Sequence, residues 1–483
     1  MLDIPALGPS GPYRTRRRVA VPDASGLAAL ELASVPGLVV SDWIGRLRAA
    51  APLPAAEVPG VLRKAADVFE TEEVLGDDLA AHERRVSALT GTPATVVREC
   101  DALIARTLRD VARAPSAARP AGCAPAGTAP RDAPAAGAAW CRTGDVFAVH
   151  AAGNSPGVHA MWLEALALGY RIVVRPSNRD PLTPFRLVTA LRRAGLPDTQ
   201  VVLAPCDHAT ADVIVERADR ALVYGGQDVV DRYRNRADVR VQGPGRSKLV
   251  VAADAERDAG LGLAVAGALH HAGTACTATT GVLVEDDPAG FAADLAVALG
   301  KAAPARPQDP DALLPCMPRA VAQGLAAALL ERAEGAGDAV VHLAPRAERL
   351  PGDGALAAVT PAVVELASAR DPLLSYEMPF PCVWVAPFER DAVDVLDGSL
   401  VLSLHTGDGD LVAEAAGLTA VSNVYVGRPT SWTHPDVPHD GFLGEFLMRA
   451  KGLAHGGRPP AARPYPGSSA ATDAAKERER SGT

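Results

Sequence analysis

The chain has 483 residues, of which 48% are hydrophobic and 22% charged, enough for two or three domains around a large core. A formal net charge of −9 leaves no basic excess to neutralise phosphates, which argues against a nucleic-acid binder. Seven cysteines with no C-x-x-C pair suggest free thiols in a reducing cytoplasm and no metal site. The sequence lacks the long apolar run of a membrane span, and no apolar stretch follows Arg14, Arg16, Arg17 and Arg18 to make a signal peptide.

In chain order, residues 1–20 read as a flexible arm. Apolar residues at three- and four-residue spacing over 61–111 predict helices, interrupted at Thr90-Gly91-Thr92-Pro93. Residues 114–138, dense in Ala, Pro and Gly, read as a loop or connection. Beyond them, predicted strands at 146–149, 171–174, 200–203 and 220–224 alternate with helices at 158–168, 184–194 and 210–218. This is the pattern of a doubly wound parallel α/β sheet. Ligands bind outside the carboxyl ends of such strands, where Asn154, residues 175–178 and Gly225-Gly226 fall. A second α/β unit follows. The expected division is an arm (1–20), a Rossmann-like domain (21–246), a second domain (247–425), a segment returning to the core or an oligomer interface (426–453) and a disordered tail (454–483).

The second unit opens with A-G-A-L-H-H-A-G-T-A-C-T-A-T-T-G-V-L-V over residues 266–284. Cys276 lies there among Gly273, Thr274, Ala275, Thr277 and Ala278, so little bulk would block an electrophile from its sulfur. A nucleophilic thiol needs such access. The plainer alternative is a buried structural cysteine.

Several motifs line up in order with this stretch. Gly153-Asn154-Ser155-Pro156 resembles the P-W-N-F-P turn of the aldehyde dehydrogenase superfamily. Val173-Val174-Arg175-Pro176-Ser177-Asn178 resembles its V-V-K-P-S-E, and Tyr224-Gly225-Gly226 its F-T-G-S. Gly273-Thr274-Ala275-Cys276-Thr277-Ala278 is similar to G-Q-x-C-x-A, and Glu377-Met378-Pro379-Phe380-Pro381 is a looser copy of E-I-F-G-P. The resemblance implies that Cys276 is the nucleophile and Asn154 an oxyanion donor. It implies that Arg175, Ser177, Asn178, Gly225, Gly226, Glu377 and Phe380 surround a nicotinamide dinucleotide. Asn178 stands where NAD-selective relatives often carry Glu. With Arg175 and Arg179 nearby, NADP(H) is favoured over NAD(H).

The departures narrow the expectation. Hydrolytic members carry a glutamate in E-L-G-G-K that activates water, whereas the matching segment here is Gln242-Gly243-Pro244-Gly245-Arg246. A glutamine takes no proton from water at neutral pH. The segment resembles the CoA-acylating and fatty acyl-CoA reductase branch. This implies NAD(P)H-dependent reduction of an acyl-CoA or carrier-bound acyl thioester to an aldehyde, by a cytoplasmic homodimer or homotetramer. The alternatives are an aldehyde dehydrogenase that forms the acid or acyl-CoA, and an inactive nucleotide-binding scaffold. Gln242 and His271 are auxiliary candidates; His270, His405 and His439 rank lower, with helix-end or turn histidines as the plainer account. Trp162, Trp384 and Trp432 are read as core residues before channel residues.

Overall fold

The computed structural model describes residues 1–125, 136–350 and 354–454. The expected disordered tail therefore lies almost wholly outside the described residues, as does the middle of the 114–138 connection.

Two seven-stranded sheets organise the chain. In the first, Val239–Gln242, Arg220–Tyr224, Val146–His150, Arg171–Arg175 and Val201–Leu203 lie side by side in that order, all parallel. Val146–His150 is buried along its whole length, as helices on both faces require of a central parallel strand. The chain winds from this strand to Arg171–Arg175 on one side, then returns to Arg220–Tyr224 on the other. Such a reversal opens a crevice at the carboxyl ends, here between His150 and Tyr224.

The second sheet runs Val340–Leu343, Ala362–Glu365, Cys382–Pro387, Thr279–Val284, Ser247–Val251, Val401–His405, Asn423–Val426. All neighbours are parallel except the first pair. The two sheets part between Gln242 and Ser247. The carboxyl edge of the first thereby faces the amino edge of the second, where Thr279–Val284 begins just after Cys276.

Residues 1–20 do not form the flexible arm expected from the sequence. Leu2–Ile4 pairs with Ala28–Ala33, and Ala6–Gly8 with Gly11–Tyr13 extends the first sheet beyond Val201–Leu203. The cause is burial: Ile4, Ala6 and Leu7 are in the core, and Trp43 stacks edge-on against Tyr13. The 114–138 connection is likewise part-structured, with a helix at Arg113–Ala118 and strands at Cys123–Ala124 and Ala136–Arg142. Ala136–Arg142 pairs antiparallel with Met448–Ala454.

The stretch before that last strand is docked on the first domain. Gly444 N donates to Glu164 Oε1 at 2.8 Å, and Tyr170 Oη and Thr143 N both donate to Leu447 O, at 2.6 and 3.0 Å. Arg240 donates to the carbonyls of Asp440 and Phe442. Residues 439–447 thus bridge the two domains at the crevice.

Candidate active site

The helix Arg257–Leu269 ends in a tight turn, His270–Gly273, that carries the chain to Cys276. His271 and Ala272 hold φ of 47° and 59°, the left-handed region, which costs roughly 1 kcal/mol or more per non-glycine residue. Their imidazole and methyl groups are retained in a conformation that glycine adopts more easily, so the surrounding packing must impose it.

Cys276 is fixed through its own carbonyl. Ser247 Oγ donates to Cys276 O at 3.0 Å. Gly245 lies so close that a Cβ built there would stand 1.8 Å from the same oxygen. Only glycine permits that approach. Gly245 is held in turn from two sides. Its carbonyl accepts Leu400 N at 2.7 Å, and the half-buried carboxylate of Glu377 accepts Arg246 N, also at 2.7 Å. Burial raises the Glu377 pKa, and hydrogen bonds from the Arg246 and Gly245 amides partly offset it.

Asn154 reaches the nucleophile's loop from the opposite sheet. Its Nδ2 donates to Thr274 O at 2.8 Å, and Thr274 Oγ1 returns a bond to Asn154 O at 3.4 Å. The second amide hydrogen has no internal partner among the described residues. Ser155 meets Cys100 of the helix Ala94–Arg109, Oγ to Sγ 3.5 Å, and this small-residue wall continues to Gly157.

The residue that sequence reasoning ranked too low is His439. Its Nε2 lies 3.4 Å from Cys276 Sγ. Burial alone would depress the imidazole, but the charge of Cys276 and the hydrogen bond to it outweigh this, and Asp440 adds to them. The result is a His439 pKa pushed up to about 9. His270 and His271, by contrast, stack on each other at 3.9 Å. Burial lowers them to about 3 and about 4. The His271 carbonyl accepts from Thr274, and among the described residues its ring makes no hydrogen bond to the thiol. Of these histidines it is His439 whose ring reaches the Cys276 sulfur. His405 is remote, bonded to Glu256 O at the far end of its strand.

The other expected residues gather at the crevice. Arg175 ends its strand, and its Nε is buried with no hydrogen-bond partner. Ser177 Oγ accepts Arg179 N, and Gly153 packs so tightly on it that a Cβ would lie 2.3 Å from that oxygen. Asn178 is exposed. The Arg179 guanidinium donates to Thr90 O at 2.9 Å. Gly225 N donates to Gln242 O at 3.1 Å, and Gly226 precedes the short helix Gln227–Tyr233. Gln242 pairs with Tyr224 across parallel strands and is buried. The Tyr224 hydroxyl is buried without a partner, its pKa raised by that burial and by the charge of Cys276. Phe380 is core, as are Trp162 and Trp384; the last two bond His159 and Tyr376 O. Among the described residues no three His, Cys, Asp or Glu side chains come together in a way that would hold a metal ion.

A cysteine in a crevice between two α/β sheets, with an imidazole 3.4 Å from its sulfur and an asparagine bonded to its loop, defines the class. The chain belongs to the aldehyde dehydrogenase family, whose sequence profile matches residues 147–454. An aldehyde-dehydrogenase-like protein of Sinorhizobium fredii is 24% identical over 290 residues, 58% of this chain and 55% of that protein. The chain thus spans about half the length of that curated relative. A methylmalonate-semialdehyde/malonate-semialdehyde dehydrogenase of Caenorhabditis elegans, described as acylating, is 30% identical over 141 residues, 27% of each chain. The fold matches the NADP complex of an NADP-dependent glyceraldehyde-3-phosphate dehydrogenase from Bacillus halodurans. That match has a TM-score of 0.77 and 19% identity, over 94% of this chain and all of that one.

The tight approach at Gly245 makes a direct prediction. Gly245→Ala forces the Cys276 carbonyl away and misplaces the sulfur, so turnover should fall about 100-fold while the far-ultraviolet circular dichroism stays unchanged. Full activity in that variant would show that the loop yields without consequence.

Proposed function

We propose that the protein is an aldehyde dehydrogenase of the thiol-acylating kind. It interconverts an aldehyde and an acyl thioester, of CoA or of a carrier, through an acyl group held on Cys276. The observation that carries this is Gln242. Its segment corresponds to the one in which hydrolytic members of the family hold a carboxylate, and a neutral amide does not activate water. Two carboxylates near this loop are already engaged, Glu377 by Arg246 N and Asp440 by Ser422 Oγ.

A nicotinamide dinucleotide suits the crevice. Arg175 Nε is an orphaned donor at the carboxyl edge, Gly225 and Gly226 follow the strand Arg220–Tyr224 on the other side of Val146–His150, and Asn178 brings no negative charge to repel a 2′-phosphate. When bound, this group supplies the acceptor or donor of hydride. The chain's own residues do the rest. Cys276 attacks the carbonyl carbon as thiolate and holds the acyl group. The free N–H of Asn154 donates to the carbonyl oxygen as it gains charge, a contribution of about 3 kcal/mol at the transition state.

Oxidation to the free acid has one observation in its favour, the imidazole of His439 beside Cys276. Product analysis separates the two outcomes. Purified protein is given a panel of aldehydes with NAD(P)+, with and without CoA, and the reverse mixture of acyl-CoA with NADPH. We expect acyl-CoA as product, CoA-dependent turnover, NADPH consumption in reverse, and loss of all three in Cys276→Ala. Free acid formed equally with and without CoA would sink the acylating assignment. Two substitutions refine it. Gln242→Glu is expected to raise release of free acid at the expense of thioester; an unchanged product ratio would mean that residue 242 does not face the acyl carbon. Asn178→Glu is expected to shift cofactor preference away from NADP by about tenfold, or 1.4 kcal/mol, read from the two dissociation constants by fluorescence.

A further inference from the structure

Beside the nucleophile stands a base that the family resemblance did not assign. We infer that His439 is the catalytic proton carrier of Cys276, holding the sulfur as a thiolate and handling the proton of each thiol that enters or leaves. This rests on Cys276 carrying the acyl group, as proposed above.

The geometry is direct. Nε2 of His439 lies 3.4 Å from Sγ, the contact distance of a sulfur–imidazole hydrogen bond. The spacing is also fixed by one continuous frame. Gly245 abuts the Cys276 carbonyl. Its own carbonyl accepts Leu400 N at 2.7 Å, and the Leu400 carbonyl accepts Asn423 Nδ2 at 3.0 Å. That same Asn423 amide donates to His439 O at 2.6 Å. Thus the backbones of Cys276 and His439 hang from the same two strands, Ser247–Val251 and Val401–His405, through Asn423 at the sheet edge. Ser422 Oγ donates to Asp440 Oδ1 at 3.0 Å, and Arg240 bonds the Asp440 and Phe442 carbonyls, so the loop is closed on both sides of the imidazole. Cys276 and Asp440 favour the imidazolium and burial opposes it, while the Arg240 guanidinium bonds the adjacent Asp440 carbonyl and the Tyr224 hydroxyl lies within the field of Cys276 and Arg240. No second base competes: His270 and His271 are neutral, Gln242 does not titrate, and Glu377 is bonded to Arg246 N.

The chemistry balances without any co-reactant besides the two thiols. Nε2 takes the proton of the Cys276 thiol, giving a thiolate and an imidazolium. The thiolate attacks the acyl carbon of a thioester, and a carbon–sulfur bond forms. The tetrahedral adduct collapses, the bond to the outgoing sulfur breaks, and the imidazolium gives that sulfur its proton. An incoming thiol reverses the sequence: it loses its proton to His439, attacks the acyl carbon and releases Cys276 as thiolate. The histidine replaces, for thiols, what a carboxylate base would do for water.

The test has two readouts. The first is the rate at which iodoacetamide alkylates Cys276 between pH 5.5 and 10, in the full chain and in His439→Gln, with no cofactor or substrate present. We expect the variant to react at least tenfold more slowly at pH 7 and to converge on the wild type near pH 10. Superimposable profiles overturn the proposal. The second is cofactor-free exchange of an acyl group between acyl-CoA and N-acetylcysteamine. It should fall about 100-fold in His439→Gln, a usual yield of positioned acid–base catalysis. If alkylation depends on His439 but no thioester exchanges even in the wild type, the proton-carrier role stands and the thioester assignment fails. Should His439→Gln not fold, 15N-histidine labelling of the wild type decides. One imidazolium at pH 7.5 that becomes neutral when Cys276 is alkylated is the expected result; a neutral ring before alkylation overturns the proposal.

Discussion

The carbonyl oxygen of Cys276 is gripped between Gly245 and the Ser247 hydroxyl, and the rest of the site depends on that grip. A nucleophile on a loop is free to wander. Here its main chain is fastened to the start of a central strand, and the small residues around it need do no holding. The left-handed run at His271 and Ala272 becomes tolerable for the same reason, since both ends of the turn are determined by packing. The segment that does the gripping, residues 242–247, is also the link between the two sheets. Its sequence therefore answers both to topology and to the placement of Cys276.

The two sheets meet edge to edge, and this decides which chemistry is possible. The carboxyl edge of the first presents Asn154, Arg175 and Gly225, while the amino edge of the second presents Cys276. The two edges thus bring the Asn154 turn and the Cys276 loop against each other. The bonds between Asn154 and Thr274 and from Arg240 to the 440–442 carbonyls keep the edges in register. Preorganisation of this kind is what lets a donor stabilise developing charge without first reorienting.

Three histidines near the nucleophile show how environment, not residue type, assigns a role. His270 and His271 are buried against each other and lose their charge. His439 is buried against a sulfur able to carry charge, and gains it. The desolvation that neutralises the first two strengthens the attraction felt by the third.

The sequence by itself determined the alternation of strands and helices, the crevice residues Asn154, Arg175 and Gly225, the small-residue setting of Cys276 and the neutral amide at 242. These are local signals, because periodicity and turn chemistry act over a few residues. Tertiary structure decided what depends on which edges meet. Strand pairing drew the first twenty residues into two sheets, since Ile4, Ala6 and Leu7 found apolar partners far along the chain. Arg179 bonded Thr90 O, 89 residues away. Glu377 went to Arg246 N. His439, 163 residues from Cys276, reached its sulfur only because Asn423 and Arg240 hold the intervening loop. No spacing rule in a single sequence encodes a contact of that range, whereas the stacking of two sheet edges produces it directly.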